Sequence, residues 1–388
     1  MAACVFLATV AIVRLFFFGL YAVEGRSMAP TLEAGESVLV AYGAGELERY
    51  DLIVLQRPNE KEPKVKRVVG LPGESVQLMN GDVVINGDRI PLDALRPPLV
   101  SVFDDRREPV EEWFQMGSTQ FNPWQKTDEG WRLDATEVES GAAAGSMFFA
   151  KRVTASHIGG EPEADMGGIS AADCVLACEF RFGAEAAELS FVLREQGDTF
   201  RAELRRAGEG QAKVQVFQRW RGGDELLLTE GSLSIAAEGW TGLRFGNIDN
   251  AVFFELLAPG LEPELLRSGL TSNHLDPSDR LAKGETYGHR LSFGGAVGTA
   301  DFRRIRVFRD LHYTDRGVHG TTQPVRLGPR DFFVLGDNSP ESRDGRDWGP
   351  IQEEEILGRP LSVVLPFGAF RSLGDSGQGL VAPRGPLR

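Results

Sequence analysis

A chain of 388 residues is longer than one hydrophobic core usually supports, so it has room for two domains or for one domain carrying a long insertion. Its 42% hydrophobic and 25% charged residues are those of a folded globular protein. The formal charge of −14 argues against a nucleic-acid partner, because phosphate binding needs clustered Lys and Arg.

The chain opens with AACVFLATVAIVRLFFFGLYAV over 2–23, in which Arg14 is the single charge. Roughly 20 apolar residues span a bilayer as a helix. A cleavable leader fits less well, for no basic stretch precedes the apolar run and Arg14 interrupts it. The expectation is a retained transmembrane helix over 1–23, with Arg14 reaching toward one interface and LFFFGLYAV continuing at the membrane surface.

Residues 36–94 read as compact β-structure: ESVLVAY, DLIVLQ, KVKRVVG, SVQLM and DVVING are short runs rich in Val, Ile and Leu, with turn residues between them. Asn80-Gly81 and Asn86-Gly87 each carry the signal of a two-residue hairpin turn, since both tolerate positive φ. At RPPLV (96–100) the character changes. Residues 101–140 read as irregular, with Trp113, Trp124 and Trp131 expected in packing rather than in a ligand-stacking surface. From about 145 to 312 a second series of short strands follows, TFRAELRRA among them, with the alternation of half-buried antiparallel strands. Such spacing argues for a β-sandwich.

Within that series lie Trp240-Thr-Gly-Leu-Arg-Phe245, Asn247-Ile-Asp-Asn250 and Val252-Phe-Phe-Glu-Leu256, a succession that resembles concanavalin-like, laminin-G-type sandwiches. After 313 the earlier style returns with DFFVLGDN and LGRPLSVVLPF. The expected fold is therefore mainly β: an anchor over 1–23, a β-domain split between 24–98 and 313–372, an antiparallel sandwich inserted over 99–312, and a flexible tail over 373–388. The cysteines add little. Cys174 and Cys178 form a CVLAC pair without a second pair to complete a zinc site. On one strand they would lie roughly 13 Å apart, too far for a disulfide. The five histidines match no metal spacing, and no metal or cofactor is expected.

Three separated stretches carry chemistry: GRSMAPTL at 25–32, KVKRVVGLPGE at 64–74 and FFVLGDNSPESRDGRDWG at 332–349. A serine hydroxyl is a poor nucleophile until a base takes its proton. None of the three stretches holds a histidine, so Lys66 is the available amine, and it works as a base only when neutral. Burial disfavours the ammonium form, and Val65, Val68 and Val69 supply aliphatic surroundings. Strand alternation turns Lys66 and Arg67 to opposite sides, one into a dry site and the other outward to a carboxylate.

Together, in this order and behind an apolar segment, the stretches resemble bacterial type I signal peptidases, membrane-anchored Ser/Lys proteases. The resemblance covers roughly 1–95 and 313–368. It implies a serine endopeptidase that removes signal peptides from exported preproteins by way of an acyl-enzyme. Ser27 would be the nucleophile and Lys66 the general base, with the Ser27 backbone amide donating to the oxyanion. Ser342 would hold the lysine amine, while Asp337, Asp344 and Arg346, joined by Arg67, would brace the site as ion pairs. Met28 and Pro30 would touch substrate. The implied partners are preproteins with Ala-x-Ala-like signal peptides and the lipid bilayer, and the implied place is the outer face of the bacterial inner membrane. Two positions depart from the pattern: Gly25 stands where some members carry an oxyanion-donating hydroxyl, and Gly345 stands where serine is usual.

Two rival readings share some of these features. A self-cleaving Ser/Lys protease of the LexA-like kind uses the same chemistry but gives no reason for the apolar segment. A membrane-anchored β-sandwich binding module with a weak or self-processing Ser/Lys domain would leave the insertion as the working part.

Overall fold

The computed structural model describes residues 17–43, 45–79, 81–89, 99–116, 122–136, 145–151, 153, 173–183, 187–195, 198–220, 223–248, 251–269 and 291–373. Strands dominate, and the helices among these residues are single turns. Two compact units emerge, one holding Met1–Val100 with Leu311–Arg388, the other Ser101–Val153 with Ser170–Asp310.

In the first unit the larger sheet runs in the order Phe18–Ala22, Ser37–Tyr42, Ile356–Leu365, Leu52–Leu55, Lys64–Gly70, Asp331–Leu335 and Ile351–Gln352. Its antiparallel ladders place Lys66 opposite Ile53 and Arg67 opposite both Leu52 and Leu335. The continuous burial of Leu52–Leu55 and of Lys66 through Gly70 follows from the central place of these strands, which have apolar packing on both faces. A smaller sheet joins Val325–Arg326, Ser75–Met79, Asp82–Ile85 and Asp88–Arg89. Its Asn86-Gly87 turn has φ of 54° and 91°, the pair of positive angles that the sequence signal anticipated. Asn80 lies outside the described residues.

The N-terminal expectation needs correction. Residues 1–16 and 374–388 lie outside the described part, and no helix among the described residues is long and apolar enough to cross a membrane. The FGLYA segment assigned to the end of that helix is instead a strand, paired residue for residue with Ser37–Tyr42. An apolar run by itself cannot separate helix from strand, and here a ladder partner decides. Gly19 permits the close approach: a Cβ on it would sit 2.6 Å from the Tyr42 hydroxyl.

The second unit is an antiparallel sandwich. One sheet runs Trp124–Thr127, Gly130–Asp134, Thr299–Arg309, Cys174–Phe182, Thr241–Ile248, Ala251–Leu257 and Glu264–Gly269. The other runs Glu225–Ser234, Gln211–Trp220, Asp198–Gly208, Glu188–Glu195, Leu291–Val297, Ser146–Phe149 and Phe114–Met116. Their inward residues form one core in which Phe180, Phe245, Phe254 and Phe302 meet Phe191, Phe200 and Phe293. Trp113, Trp124 and Trp131 are buried in it, so the described residues of 101–140 form strands, turns and one helical turn rather than irregular chain. Cys174 and Cys178 are both buried.

Candidate active site

All three sequence stretches meet in the first unit. The strand Lys64–Gly70 presents Lys66, and its ladder neighbour Asp331–Leu335 delivers the loop 336–344 beside it. GRSMAPTL forms a tight turn closed by the Ala29 amide on the Arg26 carbonyl (3.0 Å) and the Leu32 amide on the Met28 carbonyl (2.9 Å). Met28 is 2% exposed and packs with Val23, Leu32, Val38 and Val363. It therefore anchors the turn from below and does not line a binding surface, contrary to its expected role. Pro30 is half-buried in the same turn.

Lys66 Nζ lies 2.6 Å from Ser27 Oγ. The lysine is 2% exposed, and burial lowers its pKa from 10.5 to about 8, with Asp344 opposing the shift and Lys64 adding to it. The Ser27 amide makes no hydrogen bond to any described residue, which leaves an N–H free at the nucleophile itself.

The loop that backs this pair is held by two buried ion pairs. Arg67 donates to both oxygens of Asp337 (2.7 and 2.5 Å) and to the Tyr50 carbonyl (2.7 Å). At 1% exposure it is buried, so the outward direction expected for it is wrong: its carboxylate partner is itself inside. Asp344 caps the short helix Gly345–Trp348 and accepts two bonds from the Arg346 guanidinium (both 2.9 Å) and one from the Gly336 amide (3.0 Å).

Sequence reasoning missed the residues that tie the pieces together. Thr31 donates to Asp337 (2.5 Å). The Asn338 amide donates to the Ser27 carbonyl (3.0 Å), and its side chain donates to the Arg26 carbonyl (3.1 Å). Arg346 also reaches the Thr314 hydroxyl (2.7 Å) and Ser339 Oγ (2.5 Å), joining the returning chain to the loop. Thr31 and Asn338 lie inside the quoted motifs and were available. Thr314 carried no signal, because its partner is visible only in three dimensions.

Ser342 does not hold the amine here. Its buried Oγ has no hydrogen-bond partner among the described residues and lies against Gly336, where an added Cβ would fall 2.2 Å from it and 2.5 Å from the Ser27 carbonyl. One of the two departures has a structural explanation, and nothing in the structure explains the other. A Cβ on Gly345 would sit 2.8 Å from the Val334 carbonyl and 3.1 Å from the Phe333 ring, which fill the place of a side chain. Gly25 is exposed, with nothing within 4 Å of an added Cβ.

The split β-domain thus holds a buried lysine against a half-buried serine, backed by two buried arginine–carboxylate pairs. The family model described as "Signal peptidase, peptidase S26" matches residues 1–150 and 298–365, more than half the chain, and this chain belongs to that family. It is 43% identical over 100 residues to a signal peptidase I from Bacillus caldolyticus, covering 25% of this chain and 54% of that protein. To signal peptidase I T from Bacillus subtilis (strain 168) it is 33% identical over 124 residues, covering 29% and 64%. The match thus spans between about half and two thirds of these relatives' length. The carbohydrate-binding module CBM66 from Bacillus subtilis overlaps 50% of this chain and 94% of its own, but at 10% identity and a TM-score of 0.29 the overlap is too slight to argue from.

Proposed function

We propose that the protein is a serine endopeptidase that removes signal peptides from preproteins, with Ser27 as nucleophile and Lys66 as general base. The observation that carries this reading is the 2.6 Å approach of a buried, pKa-lowered amine to a serine hydroxyl. With a pKa of about 8, roughly a tenth of Lys66 is neutral at pH 7, against well under a thousandth for an ordinary lysine. Neutral Lys66 accepts the Ser27 proton as Oγ attacks the scissile carbonyl, and the Ser27 amide donates to the developing oxyanion. The lysine ammonium then gives its proton to the departing amine. Water, deprotonated by the same amine, hydrolyses the acyl-enzyme. Asp337, Asp344, Arg346 and Arg67 act by position, fixing the loop against which the pair is held.

Placement at a membrane surface belongs to the same reading. Sequence 2–16 is strongly apolar, and Phe17, Leu20, Phe367 and Phe370 of the first unit are exposed. Exposed aromatic and aliphatic groups of this kind favour a lipid boundary over water. Preproteins with small residues before the cut, in the Ala-x-Ala manner, are the proposed substrates.

The test is cleavage of a preprotein by the detergent-solubilised protein, comparing wild type with Ser27→Ala and Lys66→Ala. Cut precursor with wild type and intact precursor with both variants is the expected pattern. Uncut precursor with wild type, or cleavage by either variant, would end the reading.

A further inference from the structure

The sandwich unit carries a surface cavity of about 440 Å³ that the peptidase reading does not use. Arg132, Arg181 and Arg206 line it with Asp301, Glu238 and Phe182. Asp301, 10% exposed, pins two of the cations. It accepts from Arg132 Nε (2.8 Å) and Nη2 (3.2 Å), and from Arg181 Nε (3.1 Å) and Nη2 (2.8 Å). Arg181 Nη2 also donates to Glu129 (3.1 Å), while the Nη1 of each guanidinium makes no hydrogen bond to a described residue. Arg206 is exposed and makes no side-chain hydrogen bond or ion pair among the described residues. Three arginines thus meet in the lining, with Arg206 unpaired among the described residues and forked donors already oriented for an oxyanion.

The backbone narrows the ligand further. Every strand that contributes is internal to its sheet. Gly130–Asp134, Thr299–Arg309 and Cys174–Phe182 are flanked on both sides, as are Thr241–Ile248 and Asp198–Gly208. No row of free amides and carbonyls is offered for an extended peptide to join by strand addition. The Trp240 ring beside the cavity has the Arg181 and Arg303 guanidiniums over it, at 4.7 and 4.1 Å, so it offers little face for a neutral sugar to stack on. Arginine donors and the carboxylate of Glu238 in one lining suit a compact, hydroxyl-rich acid, and the volume lies toward the small end of ligand pockets.

We propose that this cavity binds an acidic saccharide, one or two residues bearing a carboxylate or sulfate that Arg132, Arg181 and Arg206 receive. The site is independent of the peptidase reading, since none of these residues belongs to the Ser27–Lys66 machinery.

The experiment is calorimetric titration of the full chain in detergent with digalacturonate, a sulfated heparin disaccharide, neutral cellobiose and a hexaglutamate peptide. Binding of at least one acidic disaccharide, none of cellobiose and weaker binding of the peptide are expected. Arg206→Ala, which removes no structural bond, should weaken acidic-saccharide binding by about tenfold or more, and Arg132→Gln should weaken it as well. Preprotein cleavage by Arg206→Ala should equal wild type. Failure of both acidic disaccharides to bind, affinity unchanged in Arg206→Ala, or a peptide bound as tightly as the saccharides would overturn the proposal. None of those results would bear on cleavage.

Discussion

At the scale of single residues, Lys66 sets the terms. An amine 2% exposed is held where its ammonium form is disfavoured, and the chain bears that cost in stability. The folded-state pKa of about 8 lies below the unfolded value near 10.4. Below pH 8 both states hold the proton and the folded state bears the full penalty, on the order of 3 kcal/mol. Between the two values only the unfolded chain holds the proton, so stability rises with pH. Lys66→Met, of similar length and without charge, should therefore abolish cleavage while raising the catalytic unit's resistance to urea. The gain should be largest near neutral pH and shrink as pH climbs past 9. Urea melts of both proteins across pH would measure it. A variant less stable than wild type at neutral pH would mean that the amine carries no such cost.

Among the elements, the loop 336–344 does the positioning. It leaves the strand Asp331–Leu335 and carries the Asn338 amide to the Ser27 carbonyl, while Asp344 is fixed on Arg346. Gly336 is where loop and nucleophile turn pass closest, leaving no space for a methyl group. Gly336→Ala should shift the Ser27 backbone and cost about 100-fold in kcat/KM. Its far-ultraviolet spectrum should match wild type, because the strands do not depend on that contact. The motifs made Ser27 and Lys66 legible from sequence, since both lie in short contiguous signatures. Asn86-Gly87 was legible for a related reason: its turn chemistry is local. Phe18–Ala22 was not, because an apolar run takes its structure from its partner strand. Nor was the arrangement of Asn338, Thr31 and Arg67, whose partners lie 312, 306 and 270 positions away. Ser342 was legible as a residue of its motif, while its place against Gly336 was not.

For the whole molecule, cores drawn from separate parts of the chain decide what depends on what. Among the described residues the sandwich core draws on 102–307, whereas the cores around the serine–lysine pair draw on the flanking parts of the chain. Val100 and Leu311, at the two ends of the insertion, pack in one of the latter. A chain with 101–310 replaced by a short bridge should therefore fold and keep the pH profile of cleavage, which a short peptide substrate would measure. Loss of folding would mean that the sandwich is part of the catalytic scaffold. The account as a whole rests on proton transfer from Ser27 to a neutral Lys66, and the pH dependence of single-turnover acylation tests it most directly. With an excess of the intact protein over a fluorogenic peptide, the acylation rate should fall along a single acid limb centred at about pH 8. A limb near the ordinary lysine value of about 10.4, or a rate independent of pH from about 6 to 10, would contradict it.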